Sequence, residues 1–349
     1  MTHGVGIVGA GSVAREYIKA FSADPRARIQ GVHSRSPDRI AQLRIESGGQ
    51  WAIYDSLEAM LDDPSVDIVA ICSTPNVHAE QLIATVRAGK HLVIEKPLVI
   101  NAAELSATRT AVAASGVTTV CGFVLRWNPM FEMLKQATTD GTLGRLFYAE
   151  SDYWNRTVPN GRPDMWAVRK SVVGSSLLSA GCHAVDALRW LVGEVAEVQG
   201  WTPAMNPTSE YEFPPNLVAI LRFENGAIGK VSSLLESESP YVFNVHLHGD
   251  NGTALDNRVF APGRFENQAD YHVVPTITPN SGDPAHHPFK AEIREFLDCI
   301  ESGTATRSSF EDGARTMEVC LAIDESVRAG HAISLKRPPD LQPRALPQT

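Results

Sequence analysis

Val5-Gly6-Ile7-Val8-Gly9-Ala10-Gly11-Ser12-Val13-Ala14 reads as an apolar strand, a glycine turn and the opening of a helix, since Val13, Tyr17, Ile18 and Phe21 follow at helical spacing. Gly9 permits the tight turn, Gly11 lets backbone approach a pyrophosphate, and Ala14 allows close helix packing, while the helix N-terminus attracts the anion. The strand, turn and helix context makes Gly9, Gly11, Ser12 and Val13 a candidate dinucleotide cradle; the competing reading is a tight turn without a ligand.

Working outward, Ile29 to Val32, Ile68 to Cys72, Leu92 to Ile94 and Thr118 to Cys121 are further apolar runs, separated by helical spacings at Leu57, Met60, Leu61 and at Leu82, Ile83, Val86. Near-continuous apolar runs of this length belong to strands covered on both faces. The alternation predicts an α/β protein whose residues 1–122 form a doubly wound, parallel Rossmann domain with right-handed crossovers. After Gly122 the texture changes. Leu217 to Phe223 and Ala227 to Leu235 flank Asn225-Gly226, and Tyr241 to Gly249 and Thr253 to Asn257 flank Asn251-Gly252, which are two hairpin signals. Helices are expected at His183 to Leu191, Pro288 to Glu301 and Glu311 to Arg328. Residues 123–337 are therefore expected to be an α+β domain on a large open, mostly antiparallel sheet, serving substrate binding and oligomerisation. Residues 338–349, with Pro338, Pro339, Pro343 and Pro347, read as a Pro-rich tail.

A chain of 349 residues exceeds what one core sustains, so two domains are expected. Its 31 basic and 40 acidic side chains leave a charge of −9, which argues against nucleic acid or an anionic membrane as partner. Five scattered cysteines without a C-x-x-C pair suit reduced thiols, and no run is long enough to span a membrane. With the glycine turn beginning at residue 9 there is no room for a signal peptide, so a cytoplasmic location is expected.

The strand ends carry the chemistry. Ser34-Arg35-Ser36 stands where an NAD-specific domain would place a carboxylate on the ribose 2′-hydroxyl; hydroxyl and guanidinium donors instead suit a 2′-phosphate, so NADP is favoured over NAD, with Ser34 and Arg35 as contacts. Ser73-Thr74-Pro75-Asn76, with His78 close behind, reads as a loop under the nicotinamide ribose, or as an ordinary helix start with Asn76 as N-cap. Glu95-Lys96-Pro97 follows the buried run His91 to Ile94, so Lys96 reaches whatever the glycines hold, and Glu95 orients nearby amides. An amine beside a dinucleotide is a candidate proton donor or acceptor for hydride chemistry. Gly181-Cys182-His183-Ala184-Val185-Asp186 opens a later helix on which His183 and Asp186 share a face, so that the carboxylate could orient the imidazole.

The glycine fingerprint, the Ser-Thr-Pro-Asn loop, Glu-Lys-Pro and Gly-x-His-x-x-Asp-x-x-x-Trp-Leu occur in this order over nearly two hundred residues. Their combination resembles the Gfo/Idh/MocA family (glucose–fructose oxidoreductase, inositol dehydrogenase, rhizopine catabolism), and the resemblance spans the whole chain. It implies an NAD(P)-dependent oxidoreductase moving hydride between a nicotinamide and a secondary hydroxyl or ketone of a sugar or cyclitol, with Lys96 and His183 as catalytic residues. One departure is that many members carry aspartate four residues before the histidine, where this chain has Ser179. A hydroxyl there can orient His183 or substrate but is no carboxylate base, which shifts the acid–base role toward Lys96.

Substrate contacts are expected where the domains meet: Lys96, Arg126, Tyr153, Trp154, Trp166, Arg169, Ser179 and His183, with Trp127, Asn128, Arg156 and Lys170 as lesser candidates and Arg126 also near the cofactor. His286-His287 has no ligand cluster at metal spacing and is assigned to a helix start or an interface, so no metal is expected. Two rival functions keep the fold: glycoside cleavage through transient oxidation and elimination, and a non-catalytic dinucleotide sensor. An open sheet needs a second copy over its apolar face, so a homo-oligomer, dimer or tetramer, is expected.

Overall fold

The computed structural model describes residues 2–156, 165–279 and 282–335. The first half alternates β1 (His3–Val8), α1 (Ser12–Ser22), β2 (Ala27–His33), α2 (Pro37–Ser47), β3 (Ala52–Ile53), α3 (Leu57–Leu61), β4 (Ile68–Ile71), α4 (His78–Arg87), β5 (His91–Ile94), α5 (Ala102–Ala113) and β6 (Thr119–Cys121). The strands form one sheet in the order β3-β2-β1-β4-β5-β6, every pairing parallel. β4 shows why the run is apolar throughout: Ile68 and Ala70 pack into the cluster on one face, Val69 and Ile71 into that on the other, all fully buried. The order reverses between β1 and β4, and the ligand crevice of such sheets lies outside the strand ends at that point.

The second half contains α6 (Pro129–Thr139), β7 (Leu146–Trp154), α7 (Lys170–Val173), α8 (Cys182–Val192), β8 (Val195–Trp201), β9 (Asn216–Phe223), β10 (Ile228–Leu234), β11 (Val242–Gly249), β12 (Thr253–Leu255), β13 (Arg258–Phe260), β14 (His272–Val273), α9 (Phe289–Ser302), α10 (Phe310–Ala329) and β15 (Ile333–Ser334). Its strands run β14-β13-β12-β11-β7-β10-β9-β8-β15, antiparallel except for β7 beside β10. Both Asn-Gly turns join the expected hairpins, β9 with β10 and β11 with β12. Leu217, Ala219, Leu221 and Phe223 alternate inward, whereas Val218 and Ile220 face out with Trp201 and Ile228.

β7 escapes the periodicity because acids alternate with its inward residues. Glu150 and Asp152 lie on the outer face, where Lys230 Nζ bonds Asp152 Oδ1 (2.7 Å) and His246 Nδ1 bonds Glu150 Oε1 (2.8 Å) from the neighbouring strands. The two halves also interlock more than a boundary at 122/123 suggests. Phe289, Ile293, Phe296 and Leu297 of α9 join the Rossmann core with Val5, Ile7, Tyr17 and Phe21, and the Cys121 amide on the edge strand β6 donates to the Ser308 carbonyl (2.7 Å). Late chain therefore completes the first domain. The expected Pro-rich tail, 338–349, lies outside the described residues. Among those residues, no helix is long and apolar enough to cross a membrane.

Candidate active site

The C-terminal ends of β1, β2, β4 and β5 open onto a cleft of about 410 Å³ whose far side carries Trp166. Gly9 has φ +107°, and a Cβ there would stand 2.5 Å from the Cys72 carbonyl oxygen, so only glycine fits. A Cβ on Gly11 would meet no protein atom within 4 Å. Gly11 is the N-cap of α1, which no side chain caps and whose first turn holds no acid. An uncapped N-terminus behind bare backbone is a donor set for a phosphate. Ser12, Val13, Ser34, Arg35, Ser73, Thr74, Pro75, Glu95 and Lys96, all expected to contact the cofactor, line this cleft.

Arg39 lines it too and was missed, although it follows Arg35 closely, in the first turn of the helix that starts at Pro37. It lies on α2, whose N-cap, Ser36, makes no side-chain cap and is followed by Pro37. Arg35 and Arg39 therefore flank a second uncapped helix N-terminus.

Lys96 is held at the opposite end. Its Nζ donates to the backbone carbonyl of Ser179 (2.9 Å). Ser179 belongs to a π-helical turn, Leu177–Gly181, immediately before α8, and such widened turns free carbonyls from the regular ladder. This contact uses main chain, so the Ser179 hydroxyl, expected to orient His183 or substrate, takes no part in it. His183, one turn further, is buried, with Phe123 edge-on at 5.9 Å and Tyr153 stacked at 6.4 Å between ring centroids. Burial holds its pKa well below the usual imidazole value, and the charge of Lys96 and then that of His287 push the same way. His183 is therefore neutral near pH 7. His287 sits just before α9, in keeping with a helix start, but its electrostatic reach to His183 also ties it to the site.

Glu95 is nine-tenths buried; its Oε2 accepts the Lys96 amide (3.2 Å) and desolvation raises it to about 7.

Several expected ligands turn out to hold the frame. Arg126 is 2% exposed and grips Asp186 through Nε (2.8 Å) and Nη2 (2.6 Å), bonds the Arg307 carbonyl, and pairs with Asp312. A guanidinium buried in the fold is matched by carboxylates rather than left for a ligand. Asp186 also accepts from Thr316 Oγ1 (2.8 Å), so it does not orient His183 as the shared helix face suggested.

Trp154 lies on the sheet face opposite Tyr153, where its Nε1 donates to Ser232 Oγ (2.7 Å). Alternation along β7 admits only one of the two neighbours to the His183 side. His78 is 1% exposed and spans the Pro97 carbonyl (Nδ1, 2.7 Å) and the Ser73 carbonyl (Nε2, 3.1 Å). It staples the Ser73 loop to the Lys96 loop and does not line the cleft. Asn76 is exposed in the middle of the 3-10 turn Pro75–Val77, whose N-cap is Thr74, while α4 is preceded by Val77. It therefore caps neither element. Arg169 is exposed and precedes α7, Arg156 pairs with Glu238, Trp127 donates to Glu295 (2.9 Å), and Asn128 caps α6. Of the expected substrate set, Lys96 and Trp166 line the cleft, and Ser179, His183 and Tyr153 are connected to it through Lys96, by its bond to the Ser179 carbonyl, its charge acting on His183, and the stacking of Tyr153 on His183.

Comparison with known proteins gives the family. Residues 3–123 match the model of an oxidoreductase family with an NAD-binding Rossmann fold, and residues 131–255 match the GFO/IDH/MocA C-terminal domain. The chain is 25% identical to myo-inositol 2-dehydrogenase of Thermotoga maritima, covering 95% of this chain and 98% of that protein. It is 26% identical to D-xylose 1-dehydrogenase (NADP(+)) 2 of Haloferax volcanii, covering 95% and 99%. A solved levoglucosan dehydrogenase in complex with NADH superposes with a TM-score of 0.88 at 22% identity, over 97% of this chain and all of that one. The chain thus belongs to the GFO/IDH/MocA family of oxidoreductases.

Proposed function

We propose that the enzyme interconverts a secondary hydroxyl and a ketone on a sugar, sugar derivative or cyclitol, with Lys96 as the acid–base group and His183 as its neutral partner at the substrate oxygen. The observation that carries the reading is the bond from Lys96 Nζ to the Ser179 carbonyl, which joins the amine on the cofactor side to the turn that leads into His183. The bound nicotinamide supplies the hydride acceptor or donor. Oxidation also removes a proton from the substrate oxygen, and Lys96 Nζ is the group to take it. A neutral His183 can donate its one N–H to the substrate oxygen, in the alcohol and in the forming carbonyl alike, without adding charge beside the lysine. Trp166 and Tyr153 supply flat apolar faces for sugar C–H surfaces. The relatives named for inositol and xylose support this substrate class. The test is a screen of cyclitols, sugars and sugar acids against both cofactors, followed by reduced-nicotinamide absorbance. No turnover on any polyol, with aglycone released from glycosides instead, would overturn it in favour of elimination.

The cradle is assigned to Gly9, Gly11, Ser12 and Val13 for the pyrophosphate, and Ser34, Arg35 and Arg39 for a ribose 2′-phosphate, which makes NADP the preferred cofactor. Two guanidinium groups beside the uncapped start of α2, with no carboxylate among the lining residues at that end, support this. Tighter binding of NAD than of NADP in a direct titration would refute it.

The outer face of the second sheet is assigned to another copy of the chain. Trp201 is 52%, Val218 37%, Ile220 40% and Ile228 49% exposed there, and Trp201 pairs directly with Val218 across β8 and β9. Trp201→Lys with Ile220→Lys should reduce the mass seen by light scattering to that of one chain; an unchanged assembly mass would reject this face. Five free cysteines, four of them buried, fit the reducing cytoplasm as the working compartment.

A further inference from the structure

Behind the cleft wall, three ionisable groups from three elements meet away from water: Glu95 after β5, Tyr17 on α1 and Glu292 on α9, with Tyr17 and Glu292 fully buried and Glu95 9% exposed. The Tyr17 hydroxyl hydrogen-bonds Glu292 Oε2 (3.2 Å) and also reaches Glu95. Both crowd the space over Gly122, where a Cβ would stand 2.7 Å from Glu95 Oε1 and 3.2 Å from the Tyr17 hydroxyl. Glu292 Oε1 has no hydrogen-bond partner among the described residues, and the Phe289 ring packs edge-on against Tyr17 at 4.8 Å.

One phenol proton cannot serve two carboxylates. If both acids were ionised, one would face phenol lone pairs in an apolar pocket, at the cost of an unpaired buried charge. The cluster therefore keeps one further proton, and the surroundings decide where it goes. Glu95 has the Lys96 amide and the Lys96 charge beside it; the charges acting on Glu292, from Glu95 and Glu295, are negative.

We propose that Glu292 is a positioning residue: as a neutral acid it donates to the Tyr17 oxygen, Tyr17 donates to Glu95, and Glu95 is thereby held as a carboxylate against the Lys96 amide. The second half of the chain thus sets the charge and place of the loop that carries the acid–base lysine. No group is consumed, since the relay holds its proton and passes none to substrate. The titratable groups facing Glu95 are Lys96 on its own loop, Tyr17 on α1, Cys72 after β4, Cys121 on β6 and Cys182 on α8, with Glu292 behind Tyr17. Burial raises Glu95 to about 7, against which Lys96 and Tyr17 pull down. Burial pushes Glu292 well above the usual carboxylate range, and the charge of Glu95 adds to the rise.

The inference rests on the proposed role of Lys96, so its test includes a measurement free of turnover. A carboxyl whose folded pKa is raised stabilises the fold fully below its unfolded value of about 4.3, and this stabilisation is lost as pH rises through the folded pKa. Thermal unfolding of the cofactor-free protein should therefore lose more Tm between about pH 5 and pH 8 in the wild type than in Glu292→Gln, whose amide cannot ionise. In turnover, Tyr17→Phe should move the acid limb of kcat/KM to higher pH by about one unit, because Glu95 loses its donor. Glu292→Gln should leave that limb in place, since an amide reproduces the donor of a neutral acid. Parallel Tm curves for wild type and Glu292→Gln, or an unmoved limb in Tyr17→Phe, would overturn the relay. If Lys96 is not the acid–base group, Lys96→Ala keeps its turnover while the Tm curves still diverge, so the two failures read differently.

Discussion

The first wall of the cleft takes Gly9, Ser34, Thr74 and Glu95 from the ends of four parallel strands, whereas the second side is built from Trp166, which lines the cleft from a 3-10 turn, and from Ser179 and His183, which come from a π-helical turn and a helix and meet the cleft through Lys96. On the first wall a residue just past a strand end falls at the crevice, because every strand points the same way. On the second, neighbours in sequence part company: Tyr153 stacks on His183 while Trp154 bonds Ser232 on the other face of the sheet. Proximity in sequence to a functional residue is informative on the first wall and weak on the second.

The sharpest way to break this comparison is at Lys96, which belongs to the first wall but is tethered to the second. Lys96→Ala should lower kcat by roughly 10²–10⁴-fold. Cofactor affinity, measured by fluorescence titration, should persist, because the cradle around Gly9 and Gly11 stays intact. Retained turnover would mean that the amine only braces the two walls.

Arg126 comes next. Substitution by Leu leaves Asp186 buried with Thr316 as its remaining hydrogen-bond donor, and breaking such a pair costs about 3–5 kcal/mol. Urea unfolding should show that loss. A raised KM with unchanged stability would instead return Arg126 to the substrate side.

The doubly wound sheet and both hairpins could be read because apolar runs and Asn-Gly turns are local signals, and the cleft residues of the first wall followed from strand ends. Arg126 was misread for a physical reason: a cation after a strand end looks the same in sequence whether it faces a ligand or carboxylates that arrive sixty and more residues later, as Asp186 and Asp312 do. β7 was hidden because its outward acids are balanced by Lys230 and His246, which only the folded sheet brings alongside. The Ser179 contact was unreadable in principle, since a carbonyl carries no side-chain signature. Arg39, by contrast, could have been found as a second guanidinium in the first turn of the helix that Pro37 opens just after Arg35.

That pair gives a smaller test. Arg35→Ala with Arg39→Ala should weaken NADP binding by about 1.5–3 kcal/mol, the range for hydrogen bonds to charged groups, and leave NAD binding nearly unchanged. Equal loss for both cofactors would mean that the arginines act on the shared adenosine or pyrophosphate, and the first wall would lose its claim to specificity.

The smallest expected effect is the most searching for the first wall, because it asks whether that wall is already formed. Asn76 stands between Pro75 and Val77, both of which line the cleft, yet it is exposed and the adjoining caps are Thr74 and Val77. If the strand-end loops keep this shape when cofactor binds, Asn76→Ala should change cofactor affinity by no more than about 0.5 kcal/mol, as for a surface residue without a special role. The His78 staple to Pro97 and Ser73 gives the loop a reason to hold still. A tenfold loss of affinity on titration would show that the 3-10 turn reorganises to bring Asn76 inward, and the first wall would then depend on rearrangement as much as the second.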